Sequence, residues 1–216
     1  MRRRVLAMVV LLGAAWAAPL AAQELTEQPI SRYVVDVRAA LPKVPSEDGL
    51  GNPYGLTGDQ LPGLGLGVDV GAHYYVMRWK RMALGLGFAA VVGRAHASAV
   101  TADDGTVTGK DTTATFTAAA PQISINFGSA AGWSYLSGGI GVASLAIRTP
   151  DTPDSQRAPR TKTLNYGGGG RWFLRDRVAL TFDIRFYAIN PSEPEADVYR
   201  APRMKMVVVS IGASFR

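Results

Sequence analysis

The chain has 216 residues, a formal charge of +6, no cysteine and only two histidines, which excludes a disulfide framework, a lipidated cysteine anchor and a cysteine-built zinc centre. Half of that charge resides in Arg2, Arg3 and Arg4, so basicity lends no support to nucleic-acid binding. Beyond the N-terminal segment, no apolar run approaches the ~18 residues that a spanning helix needs.

Residues 1–22 have the layout of a secretory signal peptide. Residues 1–4 are basic, 5–18 are apolar, and Ala21 and Ala22 offer a small-residue cleavage site before Gln23. Removing them takes three arginines and no acid, so +6 becomes +3. Residues 23–216 then form one domain.

Period-two alternation places eight strands in this domain, because successive side chains of a strand point to opposite faces. The first, 32–41, sets Tyr33, Val35, Val37, Ala39 and Leu41 against Asp36 and Arg38. The second, 63–76, sets Leu64, Leu66, Val68, Val70, Ala72 and Tyr74 against Gly63, Gly65, Gly67, Asp69, Gly71, His73 and Tyr75. The third, 82–96, opposes Leu84, Leu86, Phe88, Ala90 and Val92 to Gly85, Gly87 and Gly93. In the fourth, 113–127, Ile123, Ile125 and Phe127 alternate with Gln122, Ser124 and Asn126. The apolar parity slips between Phe116 and Ile123 around Pro121, which predicts a bulge, since proline cannot donate to a ladder.

The fifth strand, 133–147, is less regular, with Trp133 and Tyr135 on the opposite parity from Leu136, Ile140 and Val142. The sixth, 161–174, sets Leu164, Tyr166 and Trp172 against Asn165, Gly167, Gly169 and Arg171. The seventh, 178–187, opposes Val178, Leu180, Phe182, Ile184 and Phe186 to Thr181, Asp183, Arg185 and Tyr187. The eighth, 204–215, carries Val207, Val209, Ile211, Ala213 and Phe215 against Ser210, Gly212 and Ser214. Connections alternate between short turns (77–81, 128–132, 175–177) and long polar stretches near 42–62, 97–112, 148–161 and 189–203. Short turns at one end and long loops at the other are the pattern of a transmembrane barrel.

A soluble eight-stranded barrel also alternates, with its apolar residues inside. Three features favour lipid on the apolar face. The polar rows are built from Gly, Asp, Arg, Ser, Asn and Tyr, and lysine enters the strands only at Lys162 and Lys205, near two ends. Aromatics gather near strand ends (Tyr33, Tyr74, Trp79, Trp133, Tyr135, Trp172 and Phe215), as girdles at the two interfaces would require. The inward set balances three acids, Asp36, Asp69 and Asp183, with Arg38, Arg171 and Arg185, and unpaired charge inside a narrow bore is very costly. The expected fold is therefore an all-β, eight-stranded, antiparallel, up-and-down transmembrane β-barrel. Its lumenal polar network is Asp36, Arg38, Asp69, His73, Tyr75, Arg171, Asp183, Arg185 and Tyr187, with His73 hydrogen-bonded near Asp69. The facing glycines leave room for side chains that reach across.

The stretch Leu164-Asn165-Tyr166-Gly167-Gly168-Gly169-Gly170-Arg171-Trp172-Phe173, followed by Asp176-Arg177 and Asp183-Ile184-Arg185, resembles the penultimate hairpin of small outer-membrane barrels of the OmpA and opacity-protein type. The last strand is similar to that family's assembly signal, with Ser210, Gly212 and Phe215 matching a polar residue, a glycine and a terminal aromatic. Arg216 departs from the pattern by following that aromatic. The resemblance covers roughly residues 23–216 and implies export to the outer membrane of a Gram-negative cell, with residues 24–31 on the periplasmic side. It further implies contact with outer-membrane lipid, and passage by way of periplasmic chaperones and the barrel-assembly machinery. It transfers no task.

Chemical motifs are sparse. His96 and Ser98 share a face at the outer end of the third strand, where a base and a nucleophile can meet. Small barrels resembling lipid A deacylases use such a pair with a carboxylate, but their flanking motif is missing. The acids Asp103, Asp104 and Asp111, or Glu193, Glu195 and Asp197, read as solvated surface charge, with no spacing that fixes a calcium sphere. Gly63–Gly67 and Gly167–Gly170 fit no phosphate-loop pattern. Eight strands enclose only enough room for side chains, so a plugged bore is expected. The expectation is a monomer without cofactor or catalysis, serving envelope structure or surface interaction through its loops; a small channel or a lipid A-modifying enzyme is the alternative.

Overall fold

Alternating rows of apolar and polar side chains specify strand register strongly, because a one-residue slip would carry every side chain to the wrong face. A computed structural model describes residues 28–101, 107–152, 158–193 and 201–216. Its strands are β1 (Tyr33–Lys43), β2 (Leu66–Trp79), β3 (Met82–Ala97), β4 (Val100–Thr101), β5 (Val107–Thr108), β6 (Thr112–Ser129), β7 (Gly132–Arg148), β8 (Thr161–Arg175), β9 (Val178–Ile189) and β10 (Met204–Phe215). Eight of them close into a barrel in the order β1-β10-β9-β8-β7-β6-β3-β2, every neighbour antiparallel. Closure leaves no unpaired edge. The remaining two, β4 and β5, form a two-residue ladder in the long connection between β3 and β6.

The outer surface carries the apolar rows. Val35, Val37, Val68, Val70, Leu86, Phe88, Ile123, Ile125, Leu164, Tyr166, Leu180, Phe182, Ile184, Val209 and Ile211 are all exposed, while Asp36, Arg38, Asp69, Arg171, Asp183 and Arg185 are buried. An exposed apolar belt around a charged, buried bore is the inverse of a soluble barrel and belongs in lipid. This is an up-and-down transmembrane β-barrel. Among the described residues no helix is long and apolar enough to cross a membrane.

Two local expectations are overturned. Proline 121 causes no bulge: β3 pairs with β6 in unbroken register from Met82↔Phe127 to Ala97↔Thr112. Toward β7 the register is the same on both sides of a gap at residues 120–122. Proline's missing N–H thus interrupts pairing on one side without inserting a residue. The parity slip arises because Phe116 points inward, joining a buried apolar cluster. Register shifts lie instead at Tyr75/Met77 and Phe173/Arg175, beside two short turns. The second correction concerns the girdle. Trp133 and Tyr135 are buried inside the barrel, whereas Tyr33, Tyr74, Trp79, Trp172 and Phe215 stand outside. The inward pair gains hydrogen-bond partners for its N–H and O–H groups, which lipid could not supply.

The first long connection folds back over the barrel mouth. It contains a one-turn helix, α1 (Asp48–Gly51), and two 3-10 turns, Asn52–Tyr54 and Gly58–Gln60. Asp48 Oδ1 accepts the Gly58 N–H at 2.7 Å, and Thr57 and Gln60 form a capping box. Gly55 takes φ = 67°, a left-handed turn that suits glycine. These contacts aim Leu50, Leu56 and Leu61 into the buried cluster with Val44 and Phe116.

Candidate functional site

The charged residues meet at mid-barrel because glycine stands beside many of the large inward side chains. Across the ladders Asp36 faces Gly71, Arg38 faces Gly212, His73 faces Gly87, Tyr75 faces Gly85, Asp183 faces Gly169 and Arg185 faces Gly167. Tyr135 also sits opposite Gly169, from the β7 side. A Cβ on Gly85 would lie 2.6 Å from Ser124 Oγ and 2.8 Å from Tyr75 Cδ1, and one on Gly169 would lie 2.9 Å from the Tyr135 hydroxyl. The missing side chains are the space into which the long ones extend.

Arg171 on β8 reaches Asp36 on β1, donating from Nε to Oδ1 at 2.9 Å and from Nη2 to Oδ2 at 2.6 Å. Ser214 Oγ donates to the same Asp36 Oδ1. Arg38 lies 3.5 Å from Asp36 Oδ2, donates to Asp69 Oδ1 at 3.0 Å, and donates to the Tyr135 hydroxyl at 3.1 Å. Tyr135 in turn donates to Asp183 Oδ2 at 2.7 Å. Arg185 pairs with Asp183 at 3.0 Å and donates to Gln122 Oε1, Asn165 Oδ1 and Ser137 Oγ. The Arg171 guanidinium also stacks over the Tyr135 ring, 4.1 Å from its centroid. Three acids and three arginines therefore form one connected set, with charge-assisted bonds throughout.

Not every expected member joins it in the expected way. Neither ring nitrogen of His73 has a hydrogen-bond partner among the described residues; the Asp69 oxygens are taken by Arg38 and Ser210. Tyr75 accepts from Trp133 Nε1 at 3.2 Å. Tyr187 packs edge-on to Phe116, 5.2 Å between centroids, within the apolar cluster. The ladder sets Gly212 beside Arg38. Phe215 lies on the outer face. Tyr135, Gln122, Ser137 and Asn165 are members that the sequence reading left out. Gln122 and Asn165 already stood on the inward parity, but parity alone does not say which strands face each other across a bore.

Apolar layers close the network at both ends. At the loop end Ala40, Val44, Leu50, Phe116, Leu145, Met206 and Val208 are among the packed residues. At the turn end the layer is Ile30, Val34, Tyr75, Ala83 and Trp133, with Phe173 stacked on Trp133 at 5.0 Å.

At the loop end, Ser98 Oγ lies 3.3 Å from His96 Nε2, and His96 Nδ1 lies 3.4 Å from Thr113 Oγ1. The group that would orient the imidazole is a hydroxyl. Asp111 is engaged elsewhere, accepting the Ala99 N–H at 3.0 Å. Among the described residues no group of acids and histidines could hold a metal ion. The expected signal peptide, 1–22, and Asp103, Asp104, Glu195 and Asp197 lie outside the described residues.

No family model matches the chain, and no curated protein sequence is significantly similar to it. Solved structures do match. Neisserial surface protein A aligns with 86% of this chain and 97% of its own at 14% identity, with a TM-score of 0.50. The attachment invasion locus protein Ail of Yersinia pestis covers 85% of this chain and 96% of its own at 12% identity, TM-score 0.47. The outer membrane protein OprG of Pseudomonas aeruginosa covers 88% and 98% at 10% identity, TM-score 0.46. At such identities the likeness is one of fold, and that fold is the small barrel of outer membranes.

Proposed function

We propose that this chain is a non-enzymatic outer-membrane barrel of the OmpA and opacity-protein type, serving envelope structure or surface interaction through its loops. Residues 1–22 direct export. Ser210, Gly212 and Phe215 present the last strand to the barrel-assembly machinery after delivery by periplasmic chaperones. The barrel then sits as a monomer in outer-membrane lipid, without cofactor. One observation carries this reading: the bore is occupied by a paired charge network between two apolar layers. With the bore occupied by this network, the surfaces left for recognition are the loops, where specificity is readily varied on a rigid scaffold.

The test combines fractionation of cells with protease treatment of their surface. Cleavage confined to the long connections, with the strands protected in the outer-membrane fraction, is the expected result. Steady single-channel conductance of the purified, refolded chain in a planar bilayer would instead assign it to the channels.

A further inference from the structure

We infer that the turn end of the barrel holds a binding site for the phosphate headgroup of an anionic phospholipid. A concave pocket of about 860 Å³ opens there. Arg32, Arg78, Arg177 and Arg216 line it, against a single acidic side chain, Asp176. These arginines come from four separate elements, yet the barrel order makes them neighbours. β2 adjoins β1, β1 adjoins β10, and β10 adjoins β9, so the start of β1, the ends of β2 and β10 and the turn before β9 lie side by side on one arc of the rim.

Two of the arginines are fixed by the backbone. Arg78 Nη1 donates to the Ile30 carbonyl at 3.1 Å. Arg216 donates to the carbonyls of Asp176 and Ala130 and stacks 3.9 Å over the Phe173 ring. Their charge is therefore not neutralised by what holds them. Arg32 and Arg177 make no side-chain hydrogen bond or ion pair with a described residue; their backbone carbonyls accept from the N–H groups of Tyr75 and Arg216. The result is four arginines lining one concavity, two with positioned guanidiniums and two uncommitted, with a net side-chain charge of +3. Guanidinium groups bind phosphate oxygens in pairs and carry less hydration than an ammonium.

The pocket's place on the barrel decides which phosphate. Tyr33 forms part of its wall and is 55% exposed on the outer face; Trp79 and Phe215 stand on that same edge of the apolar belt. Aromatic residues at this level mark the membrane–water interface, so the pocket lies at headgroup depth, with acyl chains free to run along the apolar wall. Short turns face the periplasm in such barrels, which assigns the ligand to the periplasmic leaflet. Basic groups near a membrane surface enrich anionic lipid by about fivefold for each charge engaged.

This inference rests on the membrane placement proposed above but not on the role of the loops. The full mature chain is reconstituted into phosphatidylcholine vesicles containing one-tenth phosphatidylglycerol, and lipid retained by the detergent-extracted barrel is counted by native mass spectrometry. Phosphatidylglycerol should be enriched at least about fivefold over its share. In Arg32→Gln/Arg177→Gln, whose side chains support no other described contact, enrichment should fall severalfold, while Lys110→Gln at the opposite end changes nothing. Equal enrichment in wild type and double variant overturns the proposal, as does retention in proportion to bulk composition. Displacement of the lipid by millimolar inorganic phosphate would mark a simple anion site and overturn the lipid assignment. Heat-modifiable gel migration verifies that each variant is folded. Failure of the wild type to insert at all would count against the membrane reading, a result distinct from insertion without lipid preference.

Discussion

Arg171 grips Asp36 across the bore by two parallel hydrogen bonds of 2.9 and 2.6 Å, although 135 residues separate them in the chain. Their strands are not neighbours, since β10 and β9 lie between β1 and β8, so this pair ties together distant parts of the wall. Removing one partner leaves an uncompensated buried charge, which costs roughly 3–5 kcal/mol in protein interiors. Asp36→Ala and Arg171→Ala should each lower the temperature at which the folded, fast-migrating form is lost on gels. The double variant should lose less than the two single losses combined. Additive losses would mean that the two groups do not act as a pair.

The faces of the seventh predicted strand, β9, lead to a second test. Ile184 lies on the outer face between Phe182 and Phe186, and Ile184→Arg places a charge against lipid at a cost of about 2–4 kcal/mol near mid-depth. Ser124 is buried and accepts from Asn126 Nδ2 at 3.0 Å. Arginine there meets crowding rather than hydrocarbon. Insertion kinetics into vesicles should slow for Ile184→Arg more than for Ser124→Arg in thicker bilayers. Normal assembly of Ile184→Arg would contradict the facing given to this strand.

Much of the architecture was legible because lipid and bore impose opposite demands on alternate residues. The row Val178, Leu180, Phe182, Ile184, Phe186 announces its face without any neighbour. What could not be read is what depends on distance across the barrel. Tyr135 bridges Arg38 and Asp183, yet its sequence context near a turn suggested an interfacial ring. Its parity, opposite to Leu136, was the contrary signal. Phe116 disguised a regular strand as a bulged one, since an apolar side chain inside the bore looks like a parity error. The fold of the mouth-covering connection was likewise hidden. Leu50, Leu56 and Leu61 are isolated in polar sequence, and only the turns at Gly55 and Gly58 bring them together.

Glycine 85 provides a third prediction, about space rather than charge. A Cβ there would crowd Ser124 Oγ and the Tyr75 ring, and Tyr75 meets Trp133 edge-on at 6.0 Å while accepting its N–H. Overpacking of this kind typically costs about 1–3 kcal/mol. Gly85→Ala should therefore lower stability by that order and alter the near-ultraviolet dichroism of the tryptophan. Gly63→Ala is the control, because nothing lies within 4 Å of its added methyl. Identical spectra and melting for both variants would show that the bore has slack at Tyr75.

The last prediction separates proximity from catalysis at the loop end. Ser98 and His96 stand 3.3 Å apart, close enough for proton transfer from a nucleophile to a base. A working pair also needs a group that fixes the imidazole and stabilises its charged form. Here Thr113 occupies that side at 3.4 Å, and a neutral hydroxyl gives little help to an imidazolium. Asp111 spends its oxygen on the backbone of Ala99, which orders the connection instead. Ser98→Ala should consequently leave the mass spectrum of lipid A from expressing cells unchanged relative to wild type. A lipid A species that loses an acyl chain with the wild-type protein and regains it with Ser98→Ala would make the pair a catalytic one and overturn the non-enzymatic role proposed for the loops.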